Sequence, residues 1–140
     1  MQLSSPLVSI GVPVYNGENY IAEALAAIVN QTYSNLEIII FDNASTDNTA
    51  AICEQWASED SRISYYRQVQ NMGAAVNYNN TFELSTGKYF KWASHDDLCE
   101  RGFIEACVAR MEQDESIALC APRTIIIDSE GNQRQCFISE

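Results

Sequence analysis

Apolar positions along the chain fall into two alternating patterns. Short runs, "LVSIGVPV" (7–14), "LEIIIF" (36–41), "ISYYRQ" (63–68), "KYFKWA" (88–93) and "SIALCA" (116–121), read as strands. The second run is as continuously apolar as a strand buried on both faces must be. Between them lie segments whose apolar residues recur three or four apart, the period of a helix. Ile21, Leu25 and Ile28 mark a helix over 19–31, and Ile52 and Trp56 one over 45–57 that opens on the capping residues Ser45 and Thr46. A helix over 73–85 has an Asn-rich face, and Phe103, Cys107 and Met111 mark the last, over 102–114. This order predicts an α/β fold, a mainly parallel sheet with helices on both faces. Residues 123–137 predict a final hairpin turning near Ser129–Asn132. We expect one domain over 1–140, with an αβ core in 1–122 and the hairpin and tail in 123–140. Trp56 and Trp92 are assigned to the core.

Composition narrows the partners. Eight basic residues stand against nineteen acidic ones, a net charge of −11. That balance argues against a nucleic-acid surface, which needs clustered Lys and Arg, and gives no attraction to anionic lipid. The five cysteines, at 53, 99, 107, 120 and 136, contain no C-x-x-C, and the lone histidine, His95, does not complete a zinc site. Together with the lack of a recognisable signal peptide they predict reduced thiols and a cytoplasmic protein, with the glycosylation-like triplets at Asn30, Asn43 and Asn79 as chance matches. No apolar run approaches the ~18 residues of a membrane-spanning helix.

The strand exits carry the chemistry. "YNGEN" (15–19), "DNASTD" (42–47), "QNMG" (70–73) and "SHDD" (94–97) are crowded with Asn, Asp and Ser, and in an open α/β sheet they share the edge where ligands bind. Dinucleotide and P-loop glycine fingerprints are absent, as is a hydrolase serine elbow. Asp96 and Asp97 sit side by side in a chain already rich in negative charge. Spacing leaves two readings open: the pair caps a helix near Gly102 or faces water, or it holds a hard divalent cation that bridges to diphosphate oxygens.

Taken together, "VSIGVPVYNGENYIAEALAAIVNQTYSNLEIIIFDNASTDNT", "QNMGAAVNYN" and "GKYFKWASHDD" resemble the nucleotide-sugar-binding half of family-2 glycosyltransferases of the GT-A fold, from about Val8 to Ala121. The resemblance implies a metal-dependent, inverting transfer of a sugar from a nucleoside-diphosphate donor to an acceptor hydroxyl on a glycan or lipid-linked glycan, as in polysaccharide biosynthesis. It implies that Pro13, Val14 and Tyr15 border the nucleobase and ribose, that Asp42 and Asn43 face the base, and that Asn71 and Gly73 line the pocket wall. Asp96 would contact the ribose or sugar side and share a Mn2+ or Mg2+ ion with Asp97, the firmer ligand. His95 reads as a spacer.

Three departures from the family pattern stand out. Asn43 occupies a position often held by a second Asp, so uridine selectivity does not carry over directly. Ser94 replaces the earlier Asp of a full D-x-D-D. The acceptor region and general base of the family are expected beyond residue 140, and no residue here is nominated as base. The alternative function is a nucleotide-sugar and metal-binding module incomplete for catalysis. A phosphoacceptor domain would want an acidic pair after the first strand, and a nucleotidyltransferase a basic glycine-rich loop there; "VPVYNGENY" offers neither. The chain is placed in the cytoplasm or peripherally on the inner face of a membrane, and an exposed edge in 123–137 would offer a homodimer contact.

Overall fold

The computed structural model describes residues 5–137, and the chain divides into two compact units between Arg101 and Gly102. The first holds β1 (Val8–Val14), α1 (Ile21–Val29), β2 (Leu36–Asp42), α2 (Thr49–Glu59), β3 (Ile63–Arg67), α3 (Ala74–Glu83) and β4 (Tyr89–Trp92). The four strands are parallel, in the order β3-β2-β1-β4. β1 lies inside the sheet, and all seven of its residues are buried.

That order places the functional edge. The chain steps from β1 to β2 to β3 in one direction, then returns past β1 to lay down β4. Right-handed crossovers therefore put α1 and α2 on one face and α3 on the other. Accordingly α1 packs against α2, and α3 against β1 and β2. Ile10, Val12, Ile38 and Ile40 of the strands are fully buried, as are Ile21 and Leu25 of α1; burial of this kind contributes up to about 1.5–3 kcal/mol per side chain. On the α3 face the sheet is thin: a Cβ at Gly11 would lie 2.4 Å from Thr81 Oγ1 and 2.8 Å from Phe90 Cζ. Strand order reverses between β1 and β4, and a crevice opens beyond their carboxyl ends.

At the opposite end of the strands, Glu37 accepts hydrogen bonds from the Ser9 hydroxyl and from the backbone amides of Thr86 and Gly87. This ties the turn before β4 to β1 and β2.

Two expectations for this unit are corrected. α2 starts at Thr49, four residues after Ser45. Ser45 and Thr46 do not cap it, because they bond to the loop leaving β1, and Ala44 ahead of them takes a left-handed φ of 61°. Trp92 is not core. It is 46% exposed on the edge strand β4, in an aromatic cluster with Tyr78, Phe82 and Phe90. Its indole N–H donates to Tyr78 O at 3.1 Å and Thr81 Oγ1 at 3.2 Å. Trp56 is half-buried on α2.

The second unit contains α4 (Phe103–Gln113) and an antiparallel pair, β5 (Thr124–Ile127) and β6 (Gln133–Phe137). Asp128 organises the hairpin turn by accepting from the Glu130 and Asn132 amides and pairing with Arg134 at 2.8 Å, and Gly131 supplies a φ of 82°. Ile125, Ile126 and Ile127 are exposed. The expected strand over 116–121 is absent. Asp114 turns the chain by accepting from the Ser116 amide and hydroxyl, and Leu119 projects outward. Strand propensity without a ladder partner does not make a strand.

Candidate functional site

A cavity of about 320 Å³ occupies the crevice, lined by residues from all four strand exits and from α3. Pro13 and Val14 come from the end of β1, Tyr15 and Asn43 from the loops that leave β1 and β2, and Asn71 from the loop after β3. Ala74, Asn77 and Tyr78 come from α3, and Ser94, His95 and Asp96 from the turn after β4. Six of the sequence-nominated residues, Pro13, Val14, Tyr15, Asn43, Asn71 and Asp96, thus share one lining. Asp42, Gly73 and Asp97 are not part of it.

Strand parity explains Asp42. It continues the register of Leu36, Ile38 and Ile40, which are buried, and is itself 0% exposed. Its carboxylate accepts from the Ser45 amide at 2.8 Å and the Tyr65 hydroxyl at 2.8 Å, and lies 3.5 Å from Arg67 Nε. Arg67 in turn donates to Ser45 O. Burial, followed by the hydrogen bond to Asp42, pushes the Tyr65 hydroxyl well above its ordinary pKa, so it remains a donor at neutral pH. Asp42 is engaged from within the protein.

Asn43, one residue on, turns to the cavity. Its Oδ1 accepts from the Met72 amide at 2.8 Å, and its Nδ2 donates to Asn71 Oδ1 at 2.9 Å. Asn71 Oδ1 also accepts from the Gly73 amide at 2.9 Å. The pair staples the end of β2 to the loop that starts α3, leaving Asn43 one N–H and one lone pair. Gly73 sits at φ 87°, a conformation that favours glycine, and its carbonyl accepts from the Asn77 amide.

The loops after β1 and β2 are bonded together. Asn16, at φ 50°, donates its amide to Ser45 Oγ and accepts from the Thr46 amide through Oδ1. The Gly17 amide donates to Thr49 Oγ1 at 2.8 Å, the Glu18 amide donates to Asp47 Oδ2, and the Glu18 carboxylate accepts from the Asn48 amide across the same seam.

The turn after β4 closes through Asp97 N and Ser94 O and leaves both Asp96 and Asp97 exposed. Among the described residues neither carboxylate makes a hydrogen bond or ion pair, and no group of three or more His, Cys, Asp or Glu side chains is assembled. Two adjacent, uncommitted carboxylates fit a hard divalent cation as part of its shell. Such an ion takes six or more oxygen ligands, so the remainder would be water and ligand oxygens.

Sequence reasoning missed Asn77 and Tyr78, and passed over His95. Asn77 is buried under the cavity and donates through Nδ2 to Phe41 O at 2.8 Å and Val14 O at 3.3 Å, joining α3 to the ends of β2 and β1. Its Oδ1 is buried without a partner. The helical spacing of Gly73, Asn77 and Thr81, the face toward the sheet, was the available signal.

The fold is that of glycosyltransferases of the GT-A type. It superposes on a mannosyltransferase from Pyrobaculum calidifontis, solved with GDP-Man and Mn2+, with a TM-score of 0.71 and 27% identity over 78% of this chain and 33% of that one. Residues 1–349 of Staphylococcus aureus TarS give a TM-score of 0.71 at 24% identity, over 76% of this chain and 32% of that one. The chain belongs to glycosyl transferase family 2, whose family model matches residues 9–137. It is 31% identical over 128 residues to glycosyltransferase GlyG of Streptococcus pneumoniae, covering 91% of this chain and 42% of the relative. It is 34% identical over 127 residues to chondroitin synthase of Escherichia coli, covering 91% of this chain and 18% of the relative. The chain therefore spans well under half the length of these relatives. No helix among the described residues is long and apolar enough to cross a membrane.

Proposed function

We propose that this chain binds a nucleoside-diphosphate sugar in the crevice between β1 and β4, as the donor-binding part of an inverting, metal-dependent glycosyltransferase. The observation that carries this reading is the pairing of an amide-rich cavity with an uncommitted carboxylate turn at its rim. Tyr15, Asn43 and Asn71 offer a flat ring and amide groups suited to a base and ribose. Asp96 and Asp97 would hold Mn2+ or Mg2+, which when bound stabilises the leaving diphosphate. The Mn2+ in the 27%-identical mannosyltransferase complex supports the choice of ion. The four described cysteines are free thiols, which supports a reducing, cytoplasmic setting.

A second reading also has an observation behind it. Asp96 is the one carboxylate among the described lining residues, so no second carboxylate stands there to act as general base toward an acceptor hydroxyl. A general base contributes about 10²–10⁴-fold to such a step. On this reading the chain holds donor and ion but transfers sugar slowly.

A screen of UDP, GDP, ADP and CDP by calorimetry, with and without Mn2+, tests the first reading. Binding of one diphosphate that strengthens at least ten-fold with Mn2+ is expected, and no binding of any overturns it. Transfer from the matching sugar nucleotide to an acceptor panel separates enzyme from module.

A further inference from the structure

We propose that His95 is a ligand-contacting residue, donating a hydrogen bond from its imidazole to the diphosphate of the bound nucleotide. This rests on the reading of the cavity as a nucleoside-diphosphate site and goes beyond it by naming the protein group that meets the phosphates.

Three observations carry the assignment. First, His95 lines the cavity from the turn after β4 and reaches across to the loop after β1. It therefore sits where the strand order reverses, beside Asp96. Second, the ring packs over Gly17. A Cβ at Gly17 would lie 2.7 Å from His95 Cδ2 and 3.2 Å from Cγ, so that edge of the imidazole rests on the bare Cα of Gly17. Third, His95 is half-buried, yet neither ring nitrogen has a hydrogen-bond partner among the described residues. Neither nitrogen is among the buried unpaired side-chain atoms, so both are reachable from the cavity and free to meet a ligand.

The cavity's composition says what the partner is. Its lining contains neither Lys nor Arg, and it contains the negative charge of Asp96. A divalent ion on the carboxylates would neutralise one side of a diphosphate and leave other oxygens to be met. The Asn43 and Asn77 amides are largely spent on the protein's own groups. His95 offers an N–H whether the ring is neutral or charged, so the contact does not depend on its titration. A hydrogen bond to a charged group corresponds to roughly ten-fold or more in affinity.

The experiment is an NMR titration of the full chain, in saturating Mg2+, with UDP, GDP, ADP and CDP and with the matching nucleosides as phosphate-free controls. It is run on wild type, His95→Ala and His95→Gln, with thermal midpoints recorded for each. His95→Ala should weaken the bound diphosphate about ten-fold while leaving its nucleoside within two-fold, and His95→Gln, which keeps an N–H donor, should restore most of the loss. Undiminished diphosphate binding in His95→Ala overturns the proposal. So does an equal loss for diphosphate and nucleoside, which makes His95 a packing residue. So does a matching loss of Mn2+ affinity measured without nucleotide, which makes it an ion ligand. If wild type binds none of the four diphosphates, the proposed function falls and takes this assignment with it; the other outcomes overturn the assignment alone.

Discussion

The Tyr65 hydroxyl donates to the Asp42 carboxylate across 2.8 Å, at the point where β2 delivers the chain to the cavity. The family resemblance implies that Asp42 faces the base; in the structure its oxygens are engaged by Tyr65, Ser45 and Arg67. Tyr65→Phe should therefore cost about 1.5–3 kcal/mol of stability, the range for a hydrogen bond to a charged group, and shift nucleotide affinity less than three-fold. Urea denaturation and calorimetry on the same samples check both halves. A large affinity loss at unchanged stability would return Asp42 to the binding surface.

Asn43→Asp replaces the amide that donates to Asn71 Oδ1 with an acceptor facing an acceptor. The Asn71 oxygen also serves the Gly73 amide, so an amide flip does not rescue the pair. We expect a loss of roughly 1–2 kcal/mol and a similar weakening of all nucleoside diphosphates. Competition among UDP, GDP, ADP and CDP checks this. A selective gain for UDP would mean that residue 43 reads the base directly.

Asp97→Ala should abolish the Mn2+-dependent increment in nucleoside diphosphate binding while leaving the thermal midpoint within about 1 °C, since the side chain is exposed and unpaired. Calorimetry with and without Mn2+ reads the increment. An increment that survives in both Asp97→Ala and Asp96→Ala removes the cation from this turn.

Glu37 links stability to pH. Partial burial works against its ionised form, but the hydrogen bonds from Ser9, Thr86 and Gly87 outweigh that and hold its pKa below the ordinary 4.5. Between the folded and unfolded values the unfolded chain binds more protons, so stability falls as pH falls through that interval. The contribution of Glu37 is fully present above about pH 5 and is lost below its folded pKa. Thermal midpoints of wild type and Glu37→Gln should differ at pH 7 and converge as the pH is lowered toward 3. A constant difference over that range would deny Glu37 its role.

The sheet was legible because its signal is local and repeated. The apolar runs that became β1 and β2 specify a strand and its burial wherever they occur. The strand over 116–121 was over-read for the complementary reason, since a ladder needs a partner and a sequence window does not contain one. Ser45 and Thr46 show the same limit. A hydroxyl before a helix looks identical whether it caps that helix or bonds to a loop 29 residues earlier, as Ser45 does with Asn16. Within the site, the strand exits identified the edge and most of the lining. They did not separate Asp42 from Asn43, because one step along a strand exchanges the two faces of the sheet. Nor did they reveal Asn77 or the free nitrogens of His95, which depend on how α3 and the Ser94–Asp97 turn come to rest.

Gly11 lies two residues short of Pro13, outside the cavity lining, yet it sets how closely α3 approaches the sheet beneath the crevice. Because that position is bare, α3 settles low enough for Asn77 to reach the backbone carbonyls of Val14 and Phe41. A methyl group there would jack the helix upward, lifting Asn77 and Tyr78 together and widening the opening at its floor. The floor of the pocket thus depends on a hydrogen atom on the side of the sheet that α3 covers.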